Sequence, residues 1–481
     1  MKLSELMKDT EVKNNYSDVE ISFVTDKPEK CEKGCAFVCI NGMSFDGHNA
    51  IDEAKKNGAV AFITEKDTGR ENCLITENTR KAYGLMCSRL FDEPSKKMKI
   101  IGVTGTNGKT STASIIYSLL TLSGEKAALL GTAANIIDGK EEEASFTTPD
   151  AYEYNRLLKK AYDCGTKYCV CEVSSQALDQ YRTFGTEFEI GVFTNISKEH
   201  LDYHKTFENY LEAKIKLFES CKKAVINLDD AHSEEIISSL KCSVTTFSTK
   251  NDHSDLTAKC IKYGDGTVEY AAVMFSEISR VKMTGIGEYS VKNSLAALAV
   301  MIKLGFSLEK TAGLVPLVKP VRGRGEKLNT DCGFSVIIDY AHTPDALYNI
   351  LYALSRNKTG RIITLFGCGG ERDKSKRPDM GNIASAFSDI VVLTNDNPRN
   401  EDEDEIIRDI LAGINKCECE IFIEKDREQA MKLAFMKAKE NDIVLLAGKG
   451  HESYQIIKNK KIPFDEREKA IKILGSISRG D

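Results

Sequence analysis

"IIGVTGTNGKTSTASII", residues 100–116, decides how the rest of the chain is read. The apolar run "KIIGV" leads into a glycine-rich turn, which gives way to the helical pattern "STASIIYSLL". Strand, glycine loop and helix in that order are the setting of a phosphate-binding loop. Glycines let backbone N–H groups turn towards phosphates, and the helix N-terminus adds partial positive charge. Lys109 is placed to reach the outer phosphates, and the Thr110 hydroxyl to ligate Mg2+. The strict pattern asks for glycine five positions before Gly108, where Val103 stands instead. A plain strand-to-helix turn would need the glycines but not Gly-Lys-Thr-Ser. The stretch is therefore read as a nucleotide site of a variant kind.

The same alternation recurs in "KYCVCEVSSQ", "EIGVFTNISKEH", "GRIITLFGCGGERD", "DIVVLTNDNPRN" and "DIVLLAGKGHE". Short apolar runs alternating with helices predict βαβ units, an α/β fold and parallel sheets, with ligands at the carboxyl ends of the strands. The run "YCVC" ends at Glu172, a carboxylate with a use beside Mg2+ and a high cost if buried without a partner. "GVFTNIS" runs out into Lys198, Glu199 and His200. A lone histidine is commonly structural, and only its place at another strand end marks His200. Three blocks are expected: residues 1–97, with short strands and one helix around "FDGHNAIDEAKKNGAVAFITE"; residues 98–325, opening with the loop; and residues 326–481, with their own strands and helices.

Length and composition agree. The 481 residues allow two to four domains, and 41% hydrophobic with 29% charged residues is ordinary for a globular chain. A net charge of −6 argues against a nucleic-acid binder. No apolar run approaches the roughly 20 residues of a membrane span, and the N-terminus has no signal-like apolar core. Fifteen cysteines then suggest free thiols in a reducing cytoplasm. Cys31, Cys35 and Cys39 match no common metal-ligand spacing, and Cys39 lies within "AFVCI", so buried free thiols are expected.

The loop's "TGTNGKT" form is similar to that of the Mur ligase family, the ATP-dependent enzymes of peptidoglycan precursor synthesis. The resemblance extends through "TTPD" (147–150), "EVSSQALDQYR" (172–182), "TNISKEHLDYH" (194–204), "EAK" (212–214), "GRGE" (323–326), "DYAHTPDAL" (339–347), "GCGGERDKSKRP" (367–378), "DNPRNE" (396–401) and "GKGHE" (448–452). It implies a three-domain architecture: a UDP-substrate domain, a central ATP-binding domain with a P-loop parallel sheet, and a C-terminal Rossmann-like amino-acid-binding domain. It also implies that Gly105, Thr106, Asn107, Gly108, Lys109, Thr110 and Ser111 hold the ATP phosphates. Asn293 would contact adenine, Asp339 the ribose, and Arg324 the phosphates across the domain gap. Thr147, Thr148, Ser174, Gln180 and Arg182 would bind the muramoyl dipeptide. Glu172 and His200 would ligate magnesium with Thr110, and Lys214 would be carbamylated to hold a second Mg2+. Without the resemblance, Lys214 on "ENYLEAKIKLF" reads as a solvated lysine. In the first block the family's "DSR" is replaced by "KPE" (27–29), while the glycine-rich "NGMSFDGH" agrees better; no uridine contact is carried over.

"TTPD", "EVSSQAL" and "DNPR" together most resemble the member that extends UDP-N-acetylmuramoyl-L-alanyl-D-glutamate by a third peptide residue. ATP would convert the D-glutamate carboxylate to an acyl phosphate, which the incoming amine attacks. Such a step asks for positioning and charge neutralisation rather than a covalent nucleophile, and no nucleophile motif with its own base is present. The amine is expected to be meso-2,6-diaminopimelate. Arg399 suits bidentate binding of its far carboxylate beside Asp396, Asn397 and Pro398. Glu452 would take the ammonium, Gly448 offer backbone contacts, and Arg372 hold a carboxylate. A lysine-adding ligase, a folylpolyglutamate or cyanophycin synthetase, and a nucleotide-binding regulator are the rivals; Arg399, "TTPD" with "DNPR", and the Glu172–His200–Lys214 set speak against them in turn. A monomer is expected.

Overall fold

Strand Lys99–Thr104, which feeds the glycine loop, lies inside an eleven-stranded sheet. The computed structural model describes residues 1–42, 45–329, 331–356, 358–414, 419–458 and 460–479; Met43 and Ser44 of "NGMSFDGH" lie outside these. Parallel neighbours Phe188–Phe193 and Tyr168–Glu172 flank the loop strand, followed outward by Cys221–Asn227 and Ser243–Ser248 on one side and Ala127–Leu130 on the other. The register sets Val103 opposite both Glu172 and Val192. Strands in parallel register end together, so the glycine loop, Glu172 and the Thr194–His200 segment emerge at one edge. Both faces of the sheet are covered, as parallel strands require. Ile101 and Val103 pack on one core with the loop helix Lys109–Leu122 and the largely buried helix Gly287–Lys303. Ile100 faces the opposite core, with Tyr154, Leu157 and Tyr210.

The sheet is not parallel throughout. Strands Leu256–Tyr263, Thr267–Met274 and Glu277–Thr284 form an antiparallel meander at one margin, and Asn135–Ile137 with Lys140–Glu142 a hairpin at the other. The meander lacks helices between its strands, so a search for strand–turn–helix units passes over it.

A four-stranded parallel sheet lies within residues 23–75. The first block contains more helix than expected. Besides Ile51–Lys56 there is the longer Thr79–Leu90, started by the Asn78 side chain accepting from Lys81 N, with Ala82, Tyr83, Met86 and Cys87 buried. The third sheet runs Glu326–Leu328, Ser335–Asp339, Ile443–Ala447, Ile362–Phe366, Ile390–Leu393, Glu420–Ile423, all parallel but the first. Pairing of Asp339 with Ala447 and of Phe366 with Leu393 aligns its strand ends. Cys31, Cys35 and Cys39 are buried free thiols. No described helix is long and apolar enough to cross a membrane.

Candidate functional site

The glycine loop has the shape its sequence requires. Gly105 and Gly108 adopt φ +147° and +85°, and a Cβ would strike the Thr194 hydroxyl at the first and the Asn293 side chain at the second. Asn195 braces the loop: its carbonyl accepts from Thr106 N (2.8 Å) and its side-chain oxygen from Asn107 N (2.9 Å). The Lys109 ammonium folds back on the Gly105 and Thr106 carbonyls, at 2.9 Å each. Burial pushes its pKa down against the pull of Glu199 and Glu172. A phosphate would offer this cation a stronger partner than two neutral carbonyls.

Glu172 is buried but fully partnered. Its carboxylate accepts from the Thr110 hydroxyl (2.9 Å), the Thr132 hydroxyl (2.9 Å) and Thr132 N (2.7 Å). Thr132 was missed in the sequence, although it stands one residue past the apolar run "AALLG" as other site residues stand past theirs. Its hydroxyl also lies 3.1 Å from that of Thr147. Thr148 donates to the Glu172 carbonyl (2.8 Å) and accepts from Ser174 N (3.0 Å). Arg182 donates to the Thr148 carbonyl and to Gln180 Oε1. The five dipeptide candidates therefore cluster at the end of the Glu172 strand.

His200 and Lys214 lie apart from that pair, and no contact joins either to Glu172 among the described residues. His200 has φ +57° and its imidazole is 3.7 Å from Glu199. Burial holds its pKa below the usual range, with Lys109 and Lys214 adding to the effect against Glu199. Glu199, whose role sequence reasoning missed, also reaches His342 of the third block at 3.4 Å. Burial would raise the Glu199 carboxyl, but His342, His200 and Lys109 hold it well below the carboxylate range. Lys214 is fully buried, its amine over the Tyr210 ring at 4.3 Å, and no described residue gives it a hydrogen bond or ion pair. Burial and Lys109 push its pKa far down.

A cleft of about 630 Å³ opens beside the glycine loop, lined by Asn107, Gly108 and Asn293 on one wall and by Arg324, Asp339 and Tyr340 on the other. Asp339 is lifted to about 6 by burial, against Arg324 and hydrogen bonds from Gly325 N and Ala341 N. The Arg324 guanidinium lies 4.3 Å over the Tyr340 ring and donates to Thr110 Oγ1 at 3.2 Å. Asn107 also crosses the cleft, to Asp345 at 2.9 Å.

At the edge of the third sheet, Arg399 (φ +55°) donates to the Gly370 carbonyl at 2.7 Å. Burial and the neighbouring Arg372 lower its pKa against Asp396, Glu452 and Glu371, and among the described residues no carboxylate forms an ion pair with Arg399. Lys449, passed over within "GKGHE", is completely buried. It donates to Asn397 Oδ1 (2.8 Å) and Glu452 Oε2 (2.9 Å) and lies 3.2 Å from Asp396. Burial would raise the Asp396 carboxyl, and Lys449 and Arg427 keep it low. Arg427, also buried, donates to the Asn395 and Ala447 carbonyls, tying two strand ends together. Pro398 and Gly448 belong to the same pair of loops. Tyr340 Oη, 3.4 Å from Glu452, links them to the cleft beside the glycine loop.

Three family models match the chain: Mur ligase family, catalytic domain, over residues 20–82; Mur ligase middle domain over 103–301; and Mur ligase, glutamate ligase domain over 323–450. The chain is 42% identical, over 98% of its length and 99% of the relative's, to the UDP-N-acetylmuramoyl-L-alanyl-D-glutamate--2,6-diaminopimelate ligase of Clostridium perfringens. It is 41% identical to ligase 1 of that name from Clostridium acetobutylicum, over 97% and 98%. A solved structure of a UDP-N-acetylmuramoyl-L-alanyl-D-glutamate--2,6-diaminopimelate ligase superposes with TM-score 0.71 at 30% identity, covering 99% of each chain.

Proposed function

The chain belongs to the Mur ligase family, and from that premise we propose that it joins meso-2,6-diaminopimelate to UDP-N-acetylmuramoyl-L-alanyl-D-glutamate in peptidoglycan precursor synthesis. It is an ATP-dependent amide ligase. One observation carries the assignment of roles: contacts run unbroken from Glu172 through Thr110 and Arg324 to Tyr340 and Glu452. The dipeptide cluster, the nucleotide cleft and the amino-acid loops therefore open onto one another.

A carboxylate oxygen of the D-glutamate attacks the γ-phosphorus of ATP, and ADP leaves. The amine of diaminopimelate then attacks the acyl carbon, phosphate leaves, and the nitrogen loses a proton. Lys109 exchanges its two carbonyls for phosphate oxygens, and Arg324 neutralises charge from the facing wall. Arg182, Thr148 and Ser174 orient the dipeptide. Arg399 and Arg372 receive the far carboxylate of diaminopimelate, and Glu452 the far ammonium. The donors present suit magnesium, a hard cation that takes oxygen ligands: the Thr110 hydroxyl and Glu172 carboxylate already meet. Bound there and at His200 with a carbamylated Lys214, Mg2+ would offset phosphate charge. A buried amine without a partner is what carbamylation needs, since the neutral nitrogen is the nucleophile towards CO2.

In the same reading the three functional units are residues 1–97, 98–325 and 326–481, and the protein works as a cytoplasmic monomer. Phosphate release from ATP tests the assignment. It should require the UDP-muramoyl dipeptide and proceed with diaminopimelate far faster than with lysine; equal rates with the two amines would overturn the amino-acid assignment.

A further inference from the structure

Arg377 is, with Arg427, among the largest completely buried side chains of the described residues, yet it does not line the cleft beside the glycine loop. It stands on helix Lys376–Phe387, just after the loop that carries Arg372. Its guanidinium grips Glu401 with both terminal nitrogens, each bond 2.8 Å. One of them also donates to Asp409 Oδ2 (2.9 Å), the other to the Gly369 carbonyl (3.2 Å). Arg377 holds the Glu401 carboxyl far below its ordinary range, aided by Lys374 against burial. Glu401 sits two residues past Arg399, and Gly369 three before Arg372. Around Gly369 the two arginines converge: a Cβ there would lie 3.2 Å from Arg399 Nη1 and 3.7 Å from Arg372 Cγ.

We propose that Arg377 is a positioning residue for amino-acid specificity: its bidentate bond to Glu401 fixes the loop bearing Arg399 against the loop bearing Arg372, setting the spacing at which the pair receives a carboxylate. This rests on the assignment of diaminopimelate as the amine. The two loops also meet through Gly370 N on the Asn397 carbonyl (2.9 Å) and Glu371 N on the Glu401 carboxylate (2.9 Å), and Arg377 fixes the carboxylate on which the second of these bonds depends. Two like charges held side by side repel, and these links together oppose that repulsion. A planar fork is the group that holds a carboxylate at fixed distance and angle, which an ammonium does not do.

The test compares the intact enzyme with Arg377→Lys and Glu401→Gln, each first checked by thermal melting, by steady-state phosphate release with ATP, dipeptide and amine varied in turn. KM for diaminopimelate should rise roughly tenfold or more in Arg377→Lys, the loss expected from one charge-assisted hydrogen bond. KM for ATP and for the UDP-muramoyl dipeptide should stay unchanged, and the preference for diaminopimelate over lysine should shrink. Glu401→Gln, which keeps shape and loses charge, should move the same constants in the same direction and serves if Arg377→Lys fails to fold. Folded variants with an unchanged diaminopimelate KM, or with all three KM values shifted alike, would overturn the proposal. An unmutated enzyme indifferent to diaminopimelate would overturn the assignment and this inference with it.

Discussion

Replacing Arg399 by alanine tests the amino-acid site most directly. The arginine is partly buried, gives its best hydrogen bond to the Gly370 carbonyl at 2.7 Å, and faces Arg372. Truncating one partner of a desolvated, hydrogen-bonded charge pair costs about 2–5 kcal/mol. Two features place this site at the lower end. Arg372 remains to hold the carboxylate, and Arg399 is only partly buried, so truncating it leaves less desolvated charge behind. About 2–3 kcal/mol corresponds to roughly 30- to 160-fold in kcat/KM for diaminopimelate. The assay is phosphate release with ATP and dipeptide saturating and the amine varied. Lysine has no far carboxylate, so its poor turnover should not fall in parallel, and KM for ATP should hold. A variant that keeps diaminopimelate turnover, or loses lysine and diaminopimelate turnover equally, refutes the reasoning.

Glu172→Gln removes the carboxylate charge beside Thr110 while keeping its shape; activity should fall about 10–100-fold or more, partly restored by excess Mg2+, as a magnesium titration would show. Lys214 should carry a carbamate, giving a carbonyl resonance in the 13C NMR spectrum of enzyme equilibrated with labelled bicarbonate that is lost in Lys214→Arg. Burial lifts Asp339 to about 6, above the roughly 3.9 of an unfolded chain. The folded state thus binds this proton more readily, so the residue's stabilising contribution is fully present below about pH 4 and is lost as pH rises through about 6. If Asp339 holds the ribose as proposed, the ionised form is the better acceptor for its hydroxyls, so KM for ATP should fall over the same rise, and Asp339→Asn should flatten that limb.

The legible part of the candidate site consists of residues that follow an apolar run directly. Gly105 to Ser111, Glu172, Arg372, Asp396 to Arg399, and Gly448 with Glu452 all stand at or just past the ends of parallel strands, where loops are short and ligands bind. The pattern there is local, and the chain spells it out in a dozen residues. The meander of 256–284 has no such alternation, and the helix Thr79–Leu90 was hidden by its polar N-terminus. Lys214 belongs to neither class. On its helix it reads as a solvated lysine, and only tertiary burial, with the Tyr210 ring against its amine, removes its solvent.

The sequence alone, then, determined the α/β architecture, the nucleotide loop and the family, because each rests on spacing within a short segment. Tertiary structure alone decided which distant charges meet. Arg377 reaches Glu401, Arg427 reaches two strand ends, Lys449 reaches Asn397, and Glu199 reaches His342 across the cleft. Those meetings depend on strand register and on which helix covers which face. A buried charge is tolerable only beside a partner, and a linear sequence does not show where the partner will be.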